Sequence, residues 1–146
     1  MKLQKMYLEF TRLSEYIQSI ALLLARITVG YGFYEPAIAK WKDIGAVSQW
    51  FASLGIPFPT LNAYMAASTE IVGVLFLILG LGIRIISIPL IIIMLVAIGT
   101  VHFTNGFSAA LNGYEIPMYY MIFLLIFLSH GAGKFSLDHM FFGNKK

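Results

Sequence analysis

The stretch Leu61–Leu81, LNAYMAASTEIVGVLFLILGL, decides the fold. At 1.5 Å of rise per residue it crosses a hydrocarbon core about 30 Å thick. It carries a single ionisable residue, Glu70. Its apolar residues come in runs, without the alternation of a lipid-facing barrel strand, so the segment reads as a membrane-spanning helix. Three further segments of the same kind flank it, at roughly Ile17–Tyr34, Ile85–Val101 and Glu115–His130. Pro117 falls in the first turn of the last one, where a missing N–H costs little. The expected fold is all-α: a polytopic membrane protein built as an antiparallel four-transmembrane-helix bundle. One domain covers 17–142, after an amphipathic lead-in over 1–16 and before a basic tail over 143–146.

Composition supports this reading. The 146 residues are 59% hydrophobic and 12% charged, against about 25% charged in an ordinary soluble domain. A soluble globule of this size has too little interior to hide that much apolar surface. The chain has no cysteine, which removes disulfides, thiol redox chemistry, iron–sulfur ligation and cysteine-based zinc sites. The net charge of +3 forms no basic stripe, so nucleic acid is not an expected partner.

Lysine and arginine placement sets the expected orientation. Lys2, Lys5, Arg12, Arg84, Lys134, Lys145 and Lys146 fall on one side; Lys40 and Lys42 fall on the other. Both termini are therefore expected in the cytoplasm. Glu9 and Glu15 interrupt the approach to the first apolar run and no A-x-A-like site follows, so a cleaved signal peptide is not expected. In the lead-in, Leu3, Met6, Tyr7 and Phe10 recur at helical spacing.

The first outer loop, Glu35 to Thr60, is long enough to carry structure of its own. Ile44, Val47, Trp50, Phe51 and Leu54 make an apolar helical face, and both tryptophans, Trp41 and Trp50, lie here. A short interfacial helix is expected, ended by Gly55 and the Pro57–Phe58–Pro59 turn. It serves either as an anchor or as a lid.

Two charges lie at membrane depth. Arg26 and Glu70 each cost about 2.5–3.5 kcal/mol at the bilayer centre, and the large apolar residues of the first segment return a similar amount. Counted from the segment starts, both sit about 13 Å deep. Antiparallel neighbours would then set them level, so Arg26 and Glu70 are expected to form a buried ion pair or a ligand-binding pair. A first helix beginning near Leu22 would instead let Arg26 snorkel to the surface. Ala63, Ala66, Glu70, Gly73, Leu77 and Gly80 form one small-residue seam, and Ser19, Arg26, Gly30 and Ala37 another.

A second polar group, Glu35, Lys40, His102, Tyr114 and Glu115, is expected at the outer mouth. Glu, His and Glu could bind a metal, Glu, His and Tyr could handle protons, and solvation at the interface accounts for these residues equally well. No metal site is expected, because no ligand pair has close fixed spacing. His102 and His130 fall at opposite ends, which disfavours bis-histidine haem. No Walker loop, G-x-S-x-G, H-E-x-x-H or dinucleotide fingerprint is present. Gly131-Ala132-Gly133-Lys134 reads as a helix end.

Read in order, several stretches resemble the DoxX family of small four-helix bacterial membrane proteins. They are L-L-A-R-I-T-V-G-Y-G-F at 23–33, K-W-K at 40–42, G-I-P-F-P at 55–59, T-E-I-V-G at 69–73, G-L-G-I-R at 80–84 and G-A-G-K-F-S-L-D at 131–138. Y-G-F-Y-E-P-A-I-A-K-W and N-G-Y-E-I-P-M-Y-Y are similar to its HvfX-like branch. The resemblance implies Arg26, Lys40, Glu70 and Arg84 as motif charges. It implies links to a thiosulfate:quinone oxidoreductase, to oxidative-stress complexes and to clusters making metal-binding peptides.

Three functional readings stay open. The chain is a membrane subunit of a redox- or stress-linked envelope complex, with a quinone or other lipophilic ligand near Arg26 and Glu70. Or it is a scaffold that docks a partner. Or it carries a small solute or metal ion. The expected partners are the lipid bilayer and a partner protein subunit or further copies of the chain.

Overall fold

The computed structural model describes residues 2–143. Lys145 and Lys146 of the expected basic tail lie outside the described residues. Six α-helices follow in order: α1 Lys2–Lys42, α2 Ile44–Ser53, α3 Pro59–Leu79, α4 Ile83–Ala97, α5 Glu115–His130 and α6 Leu137–Phe142. A π-helical turn, Ile98–His102, and a 3-10 turn, Phe103–Asn105, extend α4. No strand occurs among the described residues. The helices containing α1, α3 and α4 are long and apolar enough to cross a membrane; α5 is a shorter apolar helix of 16 residues.

These four pack antiparallel as a ring. Trp41 of α1 meets Tyr64 of α3, while Arg26 meets Leu77. Arg84, at the start of α4, donates to the Ser129 carbonyl near the end of α5. Phe33 of α1 packs on Tyr120 of α5, with ring centroids 5.4 Å apart. Each helix buries one seam. On α1 the seam is Ser19, Leu22, Arg26, Val29, Phe33 and Ala37. On α3 it includes Ala63, Ala67, Glu70, Gly73 and Leu77. Glycine allows the closest approaches: a Cβ on Gly73 would lie 2.9 Å from both terminal methyls of Leu90. Without a hydrophobic force between helices in lipid, such close packing is what holds them together. The opposite faces, including Leu24, Ile27, Leu75, Ile85, Ile92 and Leu95, remain exposed.

Helix α1 departs from expectation at both ends. It does not stop at Tyr34 but continues through Pro36 to Lys42. Pro36 removes only the hydrogen bond to the Gly32 carbonyl, and the buried Phe33 and Ala37 hold the helix on its seam. At the other end the helix begins at Lys2, and burial begins at Ser19, close to the expected start at Ile17; Arg26 is fully buried and does not snorkel to the surface. Helix α2 forms as expected, with the Asp43 carboxylate accepting from Ala46 N–H at 2.9 Å. Gly55, at φ +75°, follows it.

The α3–α4 turn is closed by a polar knot. Gly80 and Gly82 both have positive φ, +69° and +56°. Arg26, fully buried, donates Nη1–H to the Leu77 carbonyl at 3.2 Å and Nη2–H to the Phe135 carbonyl at 2.5 Å. Asp138 accepts from Gly82 N–H at 2.7 Å and Ile83 N–H at 3.1 Å, and its own N–H donates to the Gly80 carbonyl. A cation therefore sits at the C-terminus of α3 and an anion at the N-terminus of α4, each matching the helix dipole it faces. Gly80 cannot carry a side chain here, because a Cβ would run into the Arg26 guanidinium. Ser136 caps the short α6 by accepting from His139 N–H, which brings Asp138 to the turn.

Removing the guanidinium leaves the Leu77 and Phe135 carbonyls without their donor. Arg26→Leu is expected to lower stability by about 1–3 kcal/mol, and Arg26→Lys to recover only part of it. Thermal unfolding in mild detergent reads this; an Arg26→Leu midpoint equal to wild type would refute the knot.

Candidate functional site: a cavity with an ion pair in its wall

At the other end of the bundle, the helices splay around a cavity of about 780 Å³. All four bundle helices border it, and Trp50 and Phe51 of α2, with Leu54 just after it, roof it. Ser48 and Thr60 hydroxyls, 2.7 Å apart, tie the roof to the start of α3. Prolines explain much of the opening. Pro36, Pro89 and Pro117, one in each of α1, α4 and α5, all border the cavity. Pro36 and Pro89, inside their helices, each delete a backbone hydrogen bond and force the ring against the preceding turn; Pro117, in the first turn of α5, deletes none. The π turn at Ile98–His102 adds an irregular wall contributing Thr100, Val101 and His102.

The walls are mainly apolar, and the charge in them is paired. Lys40 Nζ–H donates to Glu70 Oε2 at 2.8 Å and to Oε1 at 3.0 Å. The Glu70 side chain is 3% exposed and that of Lys40 18%. Helical side chains lean toward the helix N-terminus, which from Lys40 means deeper into the bundle, toward Glu70. Two of the three ammonium protons are engaged by the carboxylate, leaving one donor free. His102 Nδ1 lies 2.9 Å from the Asn112 carbonyl, which also accepts from Asn105. Tyr120 borders the cavity beside Lys40 and Glu70. Its hydroxyl occupies the space a Cβ on Gly32 would need.

The expected residues thus separate into different places. Arg26 and Glu70 do not pair: Arg26 belongs to the turn knot, and Glu70 is taken by Lys40. The depth argument failed because it ended the first span at Tyr34, whereas α1 runs on to Lys42 and Gly30 already packs on Leu77 and Ile78, which puts Arg26 at the last turn of α3. The outer group also divides. Lys40 and His102 border the cavity. Glu35 is exposed and makes no side-chain hydrogen bond or ion pair among the described residues. Tyr114 packs against Phe103 and Phe107 in the α4–α5 connection. Glu115 accepts from Ala109 N–H and from the Tyr119 hydroxyl, fastening that same connection. Asp138, Tyr120 and Gly32 all stand inside the quoted stretches without a site role there, and only the chain's return to the α3–α4 turn gives Asp138 its role.

A double-mutant cycle separates the two arrangements. Lys40→Met and Glu70→Gln are expected to couple by about 0.5–3 kcal/mol, and Arg26→Leu with Glu70→Gln to add within about 0.5 kcal/mol. Thermal or denaturant unfolding of the single and double variants measures both. Coupling of Arg26 to Glu70 as large as that of Lys40 would contradict the geometry.

Comparison with known proteins agrees with this architecture. The DoxX family model matches residues 21–103. An uncharacterized protein of Haemophilus influenzae is 32% identical over 127 residues, covering 82% of each chain. A second Haemophilus influenzae protein is 33% identical over 124 residues, 83% of this chain and 90% of its own. CatD of Bacillus subtilis, provisionally named an oxidoreductase, is 28% identical over 128 residues, 87% of this chain and 91% of its own. No solved structure matches. With the family model spanning Arg26, the Lys40–Glu70 pair, the packed part of α1 and all of α3 and α4, this chain belongs to the DoxX family of membrane proteins.

Proposed function

We propose that the chain is the membrane subunit of a redox- or stress-linked complex of the bacterial inner membrane, and that its cavity holds a lipophilic ligand with a polar head, a quinone being the class that fits. The observation that carries this reading is an ion pair in the wall of a largely apolar cavity. Ligand sites of about 300–1,000 Å³ typically combine apolar walls with a few placed polar groups, and this one measures 780 Å³. A quinone ring suits the apolar lining, and its carbonyl oxygen accepts the free proton donor of Lys40. Glu70 offsets the cost of placing the Lys40 side chain at a depth where a lone charge is costly. The relation to CatD favours the redox branch of the reading. With no cysteine in the chain, a thiol or iron–sulfur electron relay has to come from a partner subunit. The lysine and arginine distribution favours both termini in the cytoplasm, which sets the cavity in the outer half of the membrane.

Trp50 borders the cavity, so it serves as a reporter once Trp41 is replaced by Phe. Titrating this variant in nanodiscs with decylubiquinone is expected to quench Trp50 fluorescence saturably. Lys40→Met and Glu70→Gln in that background are expected to weaken binding by about 10-fold or more, the worth of one charge-assisted hydrogen bond. Unsaturable quenching, or equal affinity in both variants, would sink the quinone reading.

A further inference from the structure

Helix α1 is far longer than the bundle needs. Its 41 residues extend about 60 Å, twice the thickness of a hydrocarbon core. Since burial begins at Ser19, the turns before it project past the α3–α4 knot; Lys134 reaches back to them, its Nζ 5.8 Å from the Tyr16 ring centroid, and the apolar residues stay exposed. Along this projection Leu3, Met6, Phe10, Leu13 and Ile17 recur at alternating steps of three and four, and all are 57–84% exposed. The stripe runs on down the outward face of α1 as Ile20, Leu24 and Ile27, likewise exposed. An apolar repeat of 3.5 residues is the period of a left-handed coiled coil, not that of a helix lying flat on a surface at 3.6. Residues 2–29 contain neither Gly nor Pro, so α1 has no breaker at which to bend onto the bilayer.

We propose that the projecting part of α1 pairs with the same segment of a second copy as a parallel two-stranded coiled coil. Copies inserted in the same sense have parallel α1 helices, with identical stripes facing each other in register. Charge permits self-pairing. Lys5, Glu9, Arg12 and Glu15 sum to zero over 3–16 and none occupies the stripe. Lys5–Glu9 and Glu9–Arg12 are spaced to compensate within one helix. A strongly acidic or basic partner would find nothing here to read. The area is sufficient. Leu3, Met6, Tyr7, Phe10, Leu13 and Tyr16 expose most of their surface; with about 200 Å² per large side chain they offer on the order of 800 Å² per copy, the size of a standard stable interface.

The chain lacks native cysteine, so single-cysteine scanning tests the proposal on full-length protein in its own membrane. Met6→Cys, Phe10→Cys and Leu13→Cys are expected to form disulfide-linked dimers under copper phenanthroline several-fold more efficiently than Leu8→Cys, Thr11→Cys and Glu15→Cys. None of the six touches the bundle core, so folding is kept. Mass photometry of the wild type in nanodiscs is expected to show a dimer, and Phe10→Glu with Leu13→Glu to shift it to monomer. Cross-linking without heptad periodicity overturns the proposal. So does a monomeric wild type, whether its stripe is buried in lipid or occupied by a different protein.

Discussion

The Arg26 guanidinium fixes the register on which the rest of the bundle depends. A charge in an apolar bundle must find acceptors, and those available are the carbonyls at the end of α3 and at Phe135. Meeting both pins α1 against α3 and draws the chain after α5 back across the α3–α4 turn. Asp138 then completes the turn from that returning segment. Once Arg26 lies opposite Leu77, antiparallel geometry carries Gly30 onto Leu77 and Ile78, and brings Lys40 within reach of Glu70. The ion pair in the cavity wall thus follows from a contact at the far end of the same helix.

The two ends of the bundle treat polarity in opposite ways. At the turn end, charges are consumed by backbone groups and the packing is tight, with two positive-φ glycines bringing α3 and α4 together. At the cavity end, Pro36, Pro89 and a π turn loosen α1 and α4, while Lys40 and Glu70 satisfy each other. Breaking helical regularity inside a membrane is tolerated where the freed backbone lines a protected space. The irregularities gather around the cavity, where freed groups gain a surrounding wall in place of lipid.

Much of this was legible in the sequence. Leu61–Leu81 and its three companions gave the helices, their number and their antiparallel order, because hydrophobic run length and the bilayer thickness are both one-dimensional constraints. The short helix at Ile44–Ser53 was legible from the spacing of Ile44, Val47, Trp50 and Leu54 and from the Gly55–Pro59 stop. Arg26, Lys40 and Glu70 stood out because ionisable residues at such depth require partners. Less legible was the extent of α1, since Pro36 signals a break and its helical continuation depends on packing by Phe33 and Ala37.

By itself the sequence determined that this protein lives in a membrane, that it is a bundle of helices, and which charges are in difficulty there. Only the tertiary structure decided which partner each charge takes. Partnering depends on the helix–helix register, and a shift of a few residues in where the α1 span is placed moves Arg26 by several ångströms along the axis. Hydropathy cannot resolve such a shift, because apolar residues continue beyond both ends of the span. Hydrogen-bond geometry does resolve it: it gave Arg26 to the backbone carbonyls and left Glu70 to Lys40.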